Sequence, residues 1–241
     1  MKHYTWFYLD EKKGNNAFSF NERKNKKLWV PELIDAEISD IELWTEIVFE
    51  DFGFDGQLST NTGLKNFYKI KWKDKDIYLF DNHNHAYYFW YLARNEWIIW
   101  DNNTLIHIDE HADTRDPWEY LLKPESWDLD TVFHYTNKVY NVGNYIVPAE
   151  KEWIIKNTIQ VRNTHNLKEY LDLRSTLGSD IILNLDLDFF QPDLDFINYD
   201  LKKKVTLDAA EKAKVITVAT SPFFVNQELA IKVFKDIFSE K

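Results

Sequence analysis

The 241-residue chain contains no cysteine. Thiolate metal ligands, disulfides and cysteine nucleophiles are thereby excluded together, and the absence fits a reducing compartment such as the cytoplasm. No stretch approaches the ~20 consecutive apolar residues that a membrane span requires. Met1-Lys2-His3-Tyr4-Thr5-Trp6 leads into charged residues rather than into the apolar segment of a signal peptide. Positive charge is scarce: 29 Lys and Arg face 40 Asp and Glu, a formal net charge of −11. Such a surface repels nucleic-acid backbones and attracts cationic partners, arginine-rich peptides among them, as well as aiding solubility. The short basic runs Lys12-Lys13 and Lys202-Lys203-Lys204 read as solvated turns. Internal repeats and low-complexity tracts are absent. A cytoplasmic, soluble protein without a nucleic-acid or membrane partner is expected, its oligomeric state open.

What is present is apolar bulk and a pattern of strands ending in carboxylates. Apolar residues make up 44 % and aromatics 17 %, with ten Trp, enough to bury a sizeable core in one domain over 1–241. Residues 1–65 are rich in Trp, Phe and acidic side chains, with loop-like Gly14-Asn15-Asn16 and Ser59-Thr60-Asn61-Thr62-Gly63; no role follows for them. Alternation over Asn66–Trp72, a turn at 73–76 and Ile77–Phe80 predict a hairpin. His85 to Trp97 suits a buried helix. Beyond it come strands at 104–109, 158–161, 180–187 and 215–219 and helices at 151–155, 167–177, 207–213 and 228–238, with an irregular stretch from Trp118 to Tyr145 broken by Pro124 and Gly143. Continuous apolar strands alternating with helices indicate an α/β fold, a three-layer α/β/α sandwich around a mostly parallel sheet.

In such sheets ligands sit at the carboxyl ends of strands, and the charged motifs fall there. Leu105-Ile106-His107-Ile108 runs into Asp109-x-His111-x-Asp113, three candidate metal ligands at alternate positions. Ile181 to Leu185 runs into Asp186-x-Asp188, two carboxylates spaced alike. A third strand end, Asp81-Asn82-His83-Asn84-His85, offers two histidines, His83 favoured over His85. His107, inside its strand, reads as a core histidine. Two charges ~4 Å apart repel by roughly 4 kcal/mol at an effective dielectric of ~20. Carboxylates gathered from Asp109, Asp113, Asp186 and Asp188 therefore need raised pKa values or cations between them. Two divalent ions suffice, and carboxylate with imidazole and no sulfur suits Mn²⁺ better than zinc's usual set, with Zn²⁺, Fe²⁺ and Co²⁺ still open.

These elements resemble the arginase/deacetylase superfamily. Its first element reads Gly-Gly-Asp-His, its second Asp-Ala-His-x-Asp and its third Ser-x-Asp-x-Asp-x-x-Asp-Pro. Here Asp81-Asn82 stands for Gly-Gly-Asp, Asn184 for Ser, and Phe189-Phe190-Gln191-Pro192 for the final loop. Those departures, with Gly143-Asn144-Tyr145-Ile146-Val147-Pro148-Ala149, are similar to a divergent branch that includes the peptide arginases of ribosomal peptide biosynthesis. The likeness covers about 77–225. It implies a Mn²⁺ pair bridged by Asp109 and Asp186, with His83 and Asp113 completing one shell and His111 and Asp188 the other. It also implies attack of a bridging hydroxide on a guanidinium carbon, turning arginine in a peptide into ornithine and urea, with Asp188 as proton shuttle.

The same resemblance makes Glu228 a candidate partner for the guanidinium, His134 a candidate proton donor, and Asn144 a candidate contact to the substrate backbone. Glu228 reads equally as a solvated residue opening the last helix, and no local motif supports His134. Two other functions stand beside this one. A deacetylase-like amidohydrolase would hold one zinc and a His-His pair, which the chain lacks. A non-catalytic, metal-stabilised protein would bind a peptide through aromatic surface, with Trp90, Trp97, Trp100, Trp118 and Trp127 near the motifs.

Overall fold

The computed structural model describes residues 3–53, 55–121 and 128–239; Pro124 and Trp127 lie outside them. Seven strands form the main sheet: β3 (Leu33–Ala36), β6 (Phe67–Trp72), β7 (Lys75–Phe80), β8 (Asn103–Ile108), β9 (Ile155–Val161), β10 (Ile181–Asp186) and β11 (Val215–Ala219). Their order is β3-β6-β7-β11-β10-β8-β9. Every neighbouring pair is parallel except β6 and β7, the hairpin expected from the alternation, which pair antiparallel with Tyr68 opposite Leu79. β1 (Phe7–Leu9) and β2 (Leu28–Val30) make a small ribbon, and β4 (Leu43–Phe52) and β5 (Leu58–Leu64) a longer one. The segment from Ser59 to Gly63 is thus paired strand, not loop.

Helices cover both faces, consistent with three layers. α1 (His85–Asn95), α2 (Leu129–Lys138) and α3 (Ile146–Lys151) pack on one side, around Tyr88, Phe89, Val132 and Ala149. α4 (Thr164–Leu173), α5 (Tyr199–Lys212) and α6 (Gln227–Phe238) pack on the other, around Leu167, Ala209 and Phe234. The central strands are buried along their whole length, which is why they read as unbroken apolar runs instead of alternating ones.

Three helices differ from expectation. α2 occupies part of the stretch expected to be irregular, its start capped by the Asp128 carboxylate accepting from the Thr131 amide at 3.0 Å. The helix expected at 151–155 lies instead at Ile146–Lys151, and Ile155 already belongs to β9. α5 begins at Tyr199, behind an Asn198 cap, so Lys202-Lys203-Lys204 is helix, not solvated turn. Lys202 is buried and donates to the Phe189 carbonyl at 2.9 Å, its stem covering apolar surface as long cationic side chains do. No helix among the described residues is long and apolar enough to cross a membrane.

Candidate metal centre

Four adjacent parallel strands, β7, β11, β10 and β8, end side by side. His83 follows the first, Ser221 the second, Asp186 closes the third, and Asp109 follows the fourth. Expected strand alternation does not bring the carboxylates together, because both motifs leave the sheet before they are complete. β8 stops at Ile108 and β10 at Asp186. Each motif folds into a tight turn instead. Oδ1 of Asp109 accepts from the amide of His111, and Oδ1 of Asp186 accepts from the amide of Asp188 at 2.9 Å. This is the local bond that Asp side chains offer the backbone two residues on. The Glu110 amide then donates to Asp188 Oδ1 at 3.2 Å, tying one turn to the other.

Two lobes result. In the first, Nδ1 of His83 stands 2.9 Å from Asp109 Oδ2, 3.3 Å from Asp113 Oδ2 and 3.1 Å from Asp186 Oδ2. In the second, Nδ1 of His111 stands 2.9 Å from Asp188 Oδ2 and 3.5 Å from Asp109 Oδ1. Asp109 thus turns one oxygen toward each lobe. Asp113 and Ser221 reach their places with φ of +52° and +42°, a region that side-chain-bearing residues enter at some expense and that recurs at functional sites. The Ser221 hydroxyl donates to Asp186 Oδ2.

Donor chemistry and spacing fit divalent cations. Both ring nitrogens of His83, Nε2 of His107 and Oδ2 of Asp109 are buried without a hydrogen-bond partner. Nδ1 of His83 therefore touches three carboxylates while bonding to none, an arrangement that is costly for a neutral pair and natural for atoms aimed at a cation. Separations of 2.9–3.3 Å match the edge of an octahedron with metal–ligand bonds of ~2.1 Å, about 3 Å. His83, His107 and Asp109, and likewise Asp109, His111 and Asp188, offer ligand atoms that all lie within 4.8 Å of one another. The cluster could thus hold metal in either lobe.

Without a cation the cluster shares protons. Burial opposes charge on His83, but the charge of Asp186 and the contacts with Asp109 and Asp113 raise its pKa well above the ordinary value. Burial likewise works against His111, yet Asp109 and Asp188 push it up to about 11. Burial and the Asp109 charge lift Asp113 to about 6, and burial with the charges of Asp186 and Asp109 lifts Asp188 further. Two imidazolium rings would then stand where cations belong.

His107, expected as a core histidine, is fully buried inside β8 beside the cluster. It precedes Asp109 by two along β8 and so shares its face, a signal present in the spacing. Its Nε2 lies 3.4 Å from Asp109 Oδ2, while its Nδ1 lies 3.0 Å from the Asn184 amide nitrogen. Asn184 is oriented by the Thr217 hydroxyl, which donates to its Oδ1 at 2.9 Å, and it donates to the Tyr145 hydroxyl at 2.9 Å. With Asn184 as donor, the neutral imidazole carries its proton on Nε2, facing Asp109, and has no lone pair there for a cation. That leaves His83 and the carboxylates as the ligand atoms of that lobe. Asn184 therefore braces a neighbour of the cluster.

The other candidates lie elsewhere. His85 points away: its Nδ1 meets the Tyr4 hydroxyl at 2.8 Å, its ring packs on Phe67, and burial lowers its pKa to about 3. His134 is exposed on α2, with its ring against Tyr135. Glu228 is exposed in the first turn of α6, where its charge favours the helix terminus. Asn144 closes its own turn, accepting from the Asn141 amide at 2.8 Å. Trp90 is buried with its indole nitrogen donating to Thr217, while Trp97, Trp100 and Trp118 are exposed. The aromatic wall is made of phenylalanines instead.

That wall encloses a cavity of about 530 Å³ over the cluster, lined by His83, His111, Asp113 and Asp186 below and by Phe18, Phe49, Phe52, Phe223 and Phe224 around them. Three of these rings come from the first 65 residues, which therefore build the site. They are held by the Asp81-Asn82 pair. Oδ1 of Asp81 accepts from the Leu64 amide at 2.7 Å, and the Asn82 amide donates to the Val48 carbonyl at 3.0 Å. Gly63 lies so close that a Cβ there would fall 2.3 Å from Asp81 Oδ1. The chain matches no protein-family model, and no curated protein matches it.

Proposed function

We propose that the protein is a Mn²⁺-dependent hydrolase that acts on arginine side chains of a ribosomally made peptide, releasing urea and leaving ornithine, on an arginase/deacetylase-like three-layer fold. The observation that carries this reading is the two-lobed cluster of imidazoles and carboxylates, shared through Asp109, on the floor of an open, phenyl-lined cavity. His83 with Asp113, and His111 with Asp188, would complete the two lobes, and Asp109 and Asp186 would join them. Two divalent ions, when bound, supply the charge that lets water ionise near neutral pH, far below its bulk value of about 15.7.

The chain's own groups do the rest. The phenyl walls exclude bulk water and give a flat cation a surface to stack on. Ser221 donates to Asp186, which fixes one carboxylate that spans the lobes, and His107 packs 3.4 Å from the other, Asp109. Asp188 contacts Nδ1 of His111 at 2.9 Å, and His111 lines the cavity. In this reading Asp188 carries a proton to the departing amine as the carbon–nitrogen bond breaks. A cavity open at the surface admits a side chain that is still part of a peptide.

The test is incubation of the purified protein with Mn²⁺ and arginine-containing peptides, reading peptide mass and urea together, alongside elemental analysis. Conversion of arginine to ornithine with two manganese ions per chain is expected. Turnover of free arginine but of no peptide removes the peptide claim, and one tightly held zinc per chain overturns the two-manganese reading.

A further inference from the structure

Glu228 stands outside the cavity, so a cationic substrate needs another anionic partner. Strand β4 provides one. Phe49 and Asp51 are two apart and share a strand face. Phe49 reaches Phe18 at 5.5 Å and Phe223 at 5.4 Å between ring centroids, and Asp51 lines the same cavity. Of the other cavity carboxylates, Asp113 and Asp186 face His83; Asp51 belongs to neither lobe. Its Oδ1 is held by the Ser19 hydroxyl at 2.5 Å and by the Phe52 amide at 2.9 Å.

Among the described residues no cation forms an ion pair with Asp51. Arg23, near enough to feel its charge, pairs with Glu50 and bonds to Asn16. Arg115, the cavity's own cation, lies over Phe18 at 6.0 Å and against Gly143. A carboxylate with one oxygen pinned, set among phenyl rings and lacking a cation, is built to receive one.

We infer that Asp51, delivered by the N-terminal hairpin, binds the guanidinium of the substrate arginine and sets the preference for a charged over a neutral side chain. This rests on the hydrolase reading above, and it assigns specificity to a part of the chain that lies outside the metal motifs.

The experiment compares manganese-loaded wild type with Asp51→Asn and Asp51→Ser. The probes are one arginine-containing peptide and the same peptide with citrulline, the neutral isostere, at that position. Wild type is expected to bind the arginine peptide at least tenfold more tightly than the citrulline peptide. Both variants are expected to lose that preference and about 10- to 100-fold in kcat/KM, mainly through KM, the range of one charge-assisted hydrogen bond. Manganese content should be unchanged, which distinguishes lost recognition from a damaged site.

Variants that keep the arginine preference and wild-type KM overturn the assignment. Should wild type bind the arginine peptide selectively yet never release urea, the hydrolase reading falls while Asp51 stands as the cation's partner. Equal binding of both peptides by wild type overturns the assignment whatever the variants do.

Discussion

The strands of the parallel sheet and the N-terminal ribbon β4–β5 meet at one cavity and contribute opposite things. β7, β8, β10 and β11 are largely apolar and buried, and they deliver the charge of the cluster where they end. β4 is half exposed, and it delivers a wall: Phe49, Asp51 and Phe52. One region concentrates four carboxylates and two imidazoles into a small buried volume that could hold a cation. The other surrounds that volume with rings and a single carboxylate outside the lobes. Hydrogen bonds from Asp81 and Asn82 to Leu64 and Val48, with Leu64 packed into the core of the sheet, join the two.

The sharpest way to break the comparison is to disable the floor alone. Asp109→Ala removes the residue that faces both lobes, and it should abolish manganese binding and turnover together. Saturating Mn²⁺ at ~100 times Kd stabilises a native state by about 2.7 kcal/mol per site. The melting temperature of wild type should rise accordingly, whereas that of the variant should not move. A variant that still shows the manganese shift would take Asp109 out of the site.

Acidity separates the two regions next, since the shared protons belong to the floor. Asp113 is raised from 3.8 to about 6 in the metal-free protein. Its folded form therefore binds more protons than its unfolded form between those values, and stability falls as pH rises through that window. His111, raised from 6.5 to about 11, adds stability that is complete below 6.5 and fades as pH climbs toward 11. Buried His85 and His107, lowered from 6.5 to about 3 and about 4, act the other way below pH 6.5. Asp113 and His111 favour the metal-free protein at pH 5 over pH 8. Manganese must displace these protons, so its affinity should rise over the same interval. Melting curves with and without Mn²⁺ across pH check both slopes, and a manganese shift that is flat with pH would contradict the shared-proton picture.

Gly63→Ala tests the joint between the regions without touching either face of the cavity. The added Cβ would meet Asp81 Oδ1 at 2.3 Å and Val48 Cγ2 at 2.8 Å. The Leu64–Asp81 bond must yield, and a loss of about 1–3 kcal/mol is expected. Manganese content should survive and peptide turnover should fall. Equal loss of both would mean that the wall and the floor are one unit.

How much of this was legible in the sequence follows from range. The β6–β7 hairpin, β8, β10, β11 and α6 announced themselves through local periodicity, and His83, Asp109, His111, Asp113, Asp186 and Asp188 through their position at strand ends. α2 was missed although Asp128 caps it, because its exposed face breaks the apolar pattern. α5 starts earlier than its apolar pattern indicates, because its first turns carry the lysine run. His107 was readable from its spacing to Asp109. The role of residues 1–65 was not, because it rests on contacts such as Asn82 to Val48 that no local pattern encodes. Likewise, the partners of Asp81-Asn82 and Asn184 lie across the fold, out of reach of any local pattern.

The smallest effect belongs to the wall opposite the ribbon. A Cβ at Gly143 would fall 2.0 Å from Nη2 of Arg115 and 2.5 Å from its Nε. These atoms end a flexible, exposed side chain, and φ at Gly143 is not positive, so Gly143→Ala should swing Arg115 out of the cavity with a stability change under about 1 kcal/mol. Moving a cation away from a site that receives a cation removes a like-charge repulsion screened over ~10 Å. KM for an arginine peptide should therefore fall about two- to threefold, most visibly at low salt, and Arg115→Ala should do the same. A rise in KM instead would make Arg115 a contact to the substrate's carbonyl groups, and would divide recognition between both walls.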